Sequence, residues 1–322
     1  MYVIFIYEDN SESVVLHQNI VPKSLLIVTD QAINVIYITS RGHSGSTLLA
    51  HLLGAHPSIV GVGEIKMLSQ DKDERKLCSC HQLPPSQCPF WSSVQEQVVQ
   101  RIGKNLHELD LEGEDPGAFI QDNDALFESI AHVSGLRTIV DSSKSLPRAV
   151  ALCRAFDGSN SLRLSVLRLH RGPLGLVNSA RKMGMDIRSA SYNYVRMFFR
   201  TKKELSPFNS LFVTYEDLAR HTVGQLRAVM GFVGVPFDAA QLHWRSGEHR
   251  DIHGNDMRFG ASEQIRLDRK WAVELSWSQK LSICFWTISV RLRSPLLFRW
   301  MRDFVKSGDL GSLINFSRFF SS

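Results

Sequence analysis

Residues 40–47 read Ser-Arg-Gly-His-Ser-Gly-Ser-Thr and form the densest set of groups able to grip an anion. Gly42 and Gly45 let a backbone wrap closely round a ligand, and Ser44, Ser46 and Thr47 add hydroxyl donors. Arg41 and His43 are the basic residues of the same turn. An apolar, β-branched run precedes the loop (34–39, NVIYIT), and Leu48, Leu49, Leu52 and Leu53 follow at helical spacing until His56-Pro57 stops the helix. A tight turn between a buried strand and a helix exposes backbone N–H groups and the positive end of the helix dipole, which together suit a phosphate. The loop is not a Walker A motif, because Ser46 stands where that motif carries lysine. Asp141, after the run 138–140, is the one contender for an aspartate that would hold Mg²⁺. An NTPase needs the lysine and Mg²⁺ against the high charge of a transferring phosphoryl group. A sulfuryl group carries less charge, so its transfer is chemically reasonable without a metal.

These residues need a scaffold that alternates strands and helices. Besides 34–39, strands are expected at 137–140, 162–167 and 210–213. Helices fit 94–106, 118–133, 146–156, 174–183, 189–203, 223–233 and the stretch from 278 onward. That alternation predicts an α/β, P-loop NTPase-like three-layer fold with a central parallel sheet covered on both faces. Residues 77–91, with Cys78, Cys80, Cys88 and Pro84-Pro85, interrupt the pattern and read as an insertion.

With 43% hydrophobic and 21% charged residues the chain has the balance of a soluble globular protein. A net charge of +5 is too weak to call for nucleic acid, and none is expected as a partner. The charge is concentrated between 161 and 203, where ten lysines and arginines face only Asp186, as suits a small polyanion. No secretory signal or bilayer-length apolar run is legible, so a cytoplasmic location is expected.

The loop TSRGHSGSTLL followed by AHPSIVGVGE resembles the 5′-phosphosulfate segment of sulfotransferases that use 3′-phosphoadenosine-5′-phosphosulfate (PAPS), in particular the bacterial and tyrosylprotein branches. Residues 162–182 (LRLSVLRLHRGPLGLVNSARK) resemble the 3′-phosphate segment of that family, a strand, an arginine and a serine eight residues on. Arg171 and Ser179 hold those two positions. The blocks 140–145 (VDSSKS), 213–218 (VTYEDL), 232–236 (FVGVP) and 253–259 (HGNDMRF) also match in order.

The resemblance implies a sulfotransferase domain over 34–275, an N-terminal extension at 1–33 and a helical tail at 276–322. Its donor would be PAPS, with no metal required. Arg41, Gly42, His43, Ser44, Gly45, Ser46 and Thr47 would bind the 5′-phosphosulfate, and Arg171 and Ser179 the 3′-phosphate. Tyr215 and Arg258 join the donor-binding set. Glu64 matches the general base, while Lys144 and His43, or Arg41, would face the bridging and sulfuryl oxygens. The family's usual arginine before Ser-Gly is His43 here, which leaves open which side chain takes the basic role.

His56 and His170 read as structural rather than catalytic. Cys78, Cys80, His81 and Cys88 are zinc-type ligands, but their spacing is not that of a standard finger, so packed thiols are expected ahead of a structural metal or a local disulfide. The tail carries tryptophans and arginines; packing on the domain is expected ahead of peripheral membrane contact. Saccharide, lipid-linked and small-alcohol hydroxyls all remain open as acceptors, with glycans slightly ahead on family habit. The alternatives are a P-loop kinase or NTPase and a catalytically degenerate nucleotide-binding scaffold.

Overall fold

The computed structural model describes residues 2–9, 12–19, 32–69, 77–260 and 263–289. Two N-terminal strands, β1 (Tyr2–Asp9) and β2 (Glu12–Asn19), pair antiparallel in a sheet of their own. The main domain opens with β3 (Ile33–Ser40), α1 (Ser46–Gly54) and β4 (Ile59–Gly63). It continues through α2 (Pro89–Ile102), α3 (Pro116–Ser134), β5 (Thr138–Lys144), α4 (Leu146–Ala155) and β6 (Leu162–His170). After these come α5 (Pro173–Lys182), α6 (Ile187–Leu205), β7 (Ser210–Thr214), α7 (Tyr215–Arg220) and α8 (Thr222–Val233). A short α9 (Trp271–Glu274) and α10 (Trp277–Ser289) close the described chain.

The main sheet has the order β4-β5-β3-β6-β7, and all its pairings are parallel. Side chains alternate across a strand, so the continuous apolar run of β3 feeds two cores. Ile33, Val35 and Tyr37 pack with Trp91, Phe127 and Val166 on one face. Ile36 and Ile38 pack with Leu49, Leu53 and Trp244 on the other. This is the three-layer α/β arrangement that the alternation predicts. From β3 the chain moves to β4 on one side, and from β5 it crosses to β6 on the other. The carboxyl end of β3 therefore lies at the switch point where open α/β sheets bind ligands.

Three local features depart from the sequence expectations. The strand β4 was not foreseen, because Ile59-Val-Gly-Val-Gly is short and glycine-broken. The glycine has a packing reason: a Cβ on Gly54 would lie 3.2 Å from the Gly61 backbone, so the end of α1 rests directly on β4. The helix α2 starts at Pro89 rather than 94, since Cys88 takes the N-cap position and proline suits the first turn. β5 runs on to Lys144, past the expected strand end at 140, and α4 begins after it, capped by the Ser145 side chain. Arg148 Nη2 lies 3.4 Å from Asp141 Oδ2, both fully buried, and Ser143 also hydrogen-bonds that carboxylate. The carboxylate that came nearest to a Mg²⁺ ligand is thus committed to the scaffold.

In the tail, Ile283 of α10 joins a small core with Leu174, Val177 and Ala190, and the Arg188 guanidinium lies 4.6 Å from the Trp286 ring centre. No helix among the described residues is long and apolar enough to cross a membrane. The tryptophan and arginines after 289 lie outside the described residues.

Candidate active site

The anion loop joins the end of β3 to α1 with two left-handed residues, His43 at φ 63° and Gly45 at φ 90°. Gly45 is required twice over: its φ favours glycine, and a Cβ there would lie 2.6 Å from the Tyr215 ring. As N-cap of α1, Gly45 offers no side chain to the first-turn N–H groups. Those donors and the dipole are left for a ligand. Ser44 is fully buried, yet its Oγ has no hydrogen-bond partner among the described residues. An orphaned hydroxyl beside uncapped N–H groups is costly unless an acceptor fills the turn. The residues thus fit a bound phosphate or phosphosulfate. Ser46 and Thr47 are buried, and Thr47 Oγ1 accepts from Asn255 N at 3.3 Å, which leaves its own O–H for another acceptor. His43 is exposed, while Gly42 stands in open space. Arg41 lines a cleft with Ser44, His170, Leu176 and Tyr194 at the ends of β3 and β6.

Arg171 follows β6 and is 8% exposed. Its Nη1 donates to His43 O at 2.9 Å, its Nη2 to Asp268 Oδ2 at 3.0 Å, and its guanidinium lies over the Tyr215 ring at 4.8 Å. Both Nη atoms already have protein acceptors, so an incoming phosphate would share them or displace Asp268. Ser179 sits half-buried on α5, two turns along from Arg171.

The Tyr-Glu-Asp block gains a physical account. The Tyr215 hydroxyl donates to Arg266 O at 3.1 Å and accepts from Asp268 N at 2.9 Å. Glu216 Oε1 accepts from Gly172 N at 2.9 Å, fixing the turn after Arg171; burial pushes this carboxyl up. Asp217 N donates to the N-cap hydroxyl of Thr214 at 3.1 Å.

On the other side of the switch point, Glu64 leaves the end of β4 and is 5% exposed. Lys144 Nζ, from the end of β5, pairs with Glu64 Oε1, and His253 Nδ1 lies 3.5 Å from the same oxygen. Burial alone would raise the Glu64 carboxyl, but His253 and then Lys144 outweigh it and hold it below the usual carboxylate range. Lys144 adopts φ 65°, a left-handed conformation unusual for a lysine, and its carbonyl accepts from Thr39 Oγ1 at 3.1 Å. Gly254 shows how close the two halves come. A Cβ there would lie 3.5 Å from Thr47 Oγ1 and 3.9 Å from Glu64 Oε1. Arg258 is buried and donates from Nη1 to Asp251 O at 3.1 Å and to His253 O at 2.8 Å. In this geometry it clasps the late loop over Thr47 and Glu64.

The fold therefore brings Glu64, Lys144 and Thr47 together under one loop, with Tyr215 and Arg171 packed on the far side of the anion turn. His253 and Asp268 were not singled out from the sequence. His253 was visible only as a member of the late block 253–259. A further clamp ties α1 to that loop's approach: His51 Nε2 lies 2.9 Å from Asp251 Oδ2, both buried, with His249 stacked on His51 at 4.0 Å. Burial would raise Asp251, yet His51 and His249 draw it down to about 2. His56 is structural as expected, accepting from Ser58 N at 3.0 Å and contacting Pro236 O at 3.0 Å.

A central parallel sheet with an uncapped Ser-Gly-Ser-Thr turn at its switch point, without a Walker lysine, is an α/β fold whose switch point fits an anion. The family model described as the sulfotransferase family matches residues 36–239, and the chain belongs to that family. Among solved structures, it is similar to the sulfotransferase domain from the Synechococcus PCC 7002 olefin synthase, with 18% identity and a TM-score of 0.48 over 81% of this chain and 95% of that one. It is also similar to the sulfotransferase domain from the curacin biosynthetic pathway, with 16% identity and a TM-score of 0.47 over 81% and 98%. Mouse sulfotransferase SULT7A1 complexed with PAP aligns at 10% identity and a TM-score of 0.39 over 86% and 89%. No curated protein matches the sequence.

Proposed function

We propose that this sulfotransferase takes its sulfuryl group from PAPS and delivers it to an acceptor hydroxyl, with Glu64 as general base. The observation that carries this reading is the Glu64 carboxylate, buried, kept ionised by Lys144 and His253, and set against the same loop as Thr47. Bound PAPS supplies an activated sulfuryl group on a phosphate leaving group. The N–H groups of the 41–47 turn with Ser44, Ser46 and Thr47 hold the 5′ end. Arg171, with Ser179, holds the 3′-phosphate, and Tyr215 backs both by packing on Gly45 and Arg171. Arg258 supports the donor site by holding the late loop. Glu64 accepts the proton of the acceptor hydroxyl as its oxygen bonds to sulfur and the sulfur–oxygen bond to the 5′-phosphate breaks. Lys144 is the cation best placed to meet the charge that develops on the departing oxygen; Arg41 and His43 border the turn. The reaction needs no metal in this scheme. The acceptor is a hydroxyl compound, and glycans are the first class to assay.

The donor assignment is tested by thermal-shift titration with adenosine 3′,5′-bisphosphate against AMP, ADP and ATP. Selective stabilisation by the bisphosphate is expected. Equal shifts with ATP and Mg²⁺, accompanied by hydrolysis, would replace this reading with an NTPase, and no shift with any nucleotide would leave a non-binding scaffold.

A further inference from the structure

The segment after Glu64 contains a group of side chains that sulfuryl transfer does not use. Cys78, Cys80 and Cys88 bring their sulfurs within 4.8 Å of one another. Cys78 Sγ lies 2.9 Å from Cys80 Sγ, which lies 3.3 Å from Cys88 Sγ. His81 Nδ1 is 3.1 Å from Cys80 Sγ, and His81 is exposed at the edge of the cluster. All three cysteines are free, and both separations far exceed a disulfide bond of about 2.05 Å. They are also closer than uncharged sulfurs sit in ordinary packing. Packed thiols, the expectation from spacing alone, would hold one another only weakly, since a thiol sulfur is both a weak donor and a weak acceptor.

We infer that Cys78, Cys80, Cys88 and His81 form a structural zinc site. Three thiolates and one imidazole are a known structural zinc set. With Zn–S bonds of about 2.3 Å, tetrahedral sulfurs stand about 3.8 Å apart, so the Cys78–Cys80 and Cys80–Cys88 pairs each need to open by less than about 1 Å. The backbone is already shaped for it. Cys78 N donates to Leu83 O at 2.8 Å and Gln82 N to Cys78 O at 2.9 Å, closing a tight turn round Cys80 and His81. Gln82 takes the left-handed φ of 55° that such a turn demands. Cys88 stands at the N-cap of α2, where the helix dipole favours a thiolate, and no side chain caps that end. The Arg250 guanidinium lies over the Phe90 ring at 5.4 Å, two residues past Cys88, placing a cation near a site whose ligands would outweigh Zn²⁺ by one negative charge.

The site has a clear mechanical task. Ile252 bridges Cys78 antiparallel and Gly63 parallel, so it lies between the cysteine turn and the end of β4. Glu64 N donates to Ile252 O at 2.8 Å, Ile252 N to Val62 O at 3.0 Å, and Ser79 N to Asp251 O at 3.1 Å. A metal that locks the turn 78–83 onto the start of α2 therefore fixes the strand that holds Glu64 and leads into the His253 loop. That task rests on the proposed role of Glu64; the metal content does not, and the two can fail separately.

The test uses the full chain purified without chelator. Metal analysis is expected to find one Zn²⁺ per chain, released stoichiometrically when a mercurial titrates the thiols of the native protein. Replacement by Co²⁺ should give the thiolate-to-cobalt charge transfer and intense visible bands of a tetrahedral site with several sulfur ligands. Cys80→Ser and Cys88→Ser should lose the metal, while Cys153→Ser, a buried thiol outside the cluster, should keep it. If a ligand variant fails to fold, the wild-type release and cobalt spectrum decide alone. A chain that binds neither Zn²⁺ nor Co²⁺ when supplied with them, or whose mass shows a disulfide among these three cysteines, would overturn the site.

Discussion

The two sides of the switch point are built in different ways. At the ends of β3 and β6, the proposed anion site rests on backbone shape: the left-handed Gly45, the uncapped start of α1 and the orphaned Ser44 hydroxyl all lie within a few residues of one another. At the ends of β4 and β5, the proposed chemistry rests on side chains that are distant in sequence and face each other, Glu64 with Lys144 and His253. The first side presents backbone and hydroxyl donors, and the second a preformed charge balance. Donor affinity should therefore belong to the first side and turnover to the second, a division that mutagenesis can break.

The largest effect is expected at the base. Glu64→Gln keeps the shape and loses the proton acceptor, so kcat should fall by about 100- to 10,000-fold while adenosine 3′,5′-bisphosphate still raises the melting temperature. A fully active Glu64→Gln enzyme, or one that no longer binds the bisphosphate, would dissolve the division between the two sides. An intermediate effect is expected at the donor anchor. Arg171→Ala should raise the donor KM by about 10- to 100-fold, the worth of charge-assisted hydrogen bonds, with a smaller change in kcat. Asp268→Ala sharpens the point, because Asp268 occupies Arg171 Nη2 in this structure. Tighter donor binding in Asp268→Ala would show that the carboxylate competes with phosphate; weaker binding would show that it aims the guanidinium.

The smallest effect concerns stability on the donor side. His170, packed between Phe198 and Phe212 at 5.0 and 5.1 Å, is driven down to about 3 by burial and then by Arg168. An unfolded histidine protonates near about 6.5. Below that pH the unfolded chain takes up a proton that the folded chain refuses until about pH 3, so stability is lost progressively across this window. His170→Phe keeps the ring packing and removes the titration, so its melting temperature should exceed the wild type's by a margin that grows as pH falls from 7 to 4. A constant margin would assign the acid sensitivity elsewhere.

The halves also differ in how far they could be read from the chain alone. The loop 40–47, the helix after it, the parallel α/β class and most helix boundaries were legible, because turn chemistry and hydrophobic period act over a few residues. β4 was hidden because its glycines answer contacts outside the strand, Gly61 with Gly54 and Gly63 with Ile252, rather than any local preference. Glu64, Lys144, Arg171 and Tyr215 were reached through resemblance to a family, and the fold gives Tyr215 and Glu216 their physical reasons. His253, Asp268 and the convergence of Cys78, Cys80 and Cys88 carried no decisive local signal.

What the sequence by itself determined is the anion turn: glycine at the left-handed position, hydroxyls at a helix start and no Walker lysine are properties of one short segment. What only the tertiary structure decided is which charges face each other. Glu64 meets Lys144 across 80 residues, and Arg171 meets the carbonyl of His43 across 128. Such pairings depend on strand order and on which face each strand presents, and Coulombic contacts between distant residues exist only once the sheet has set that order.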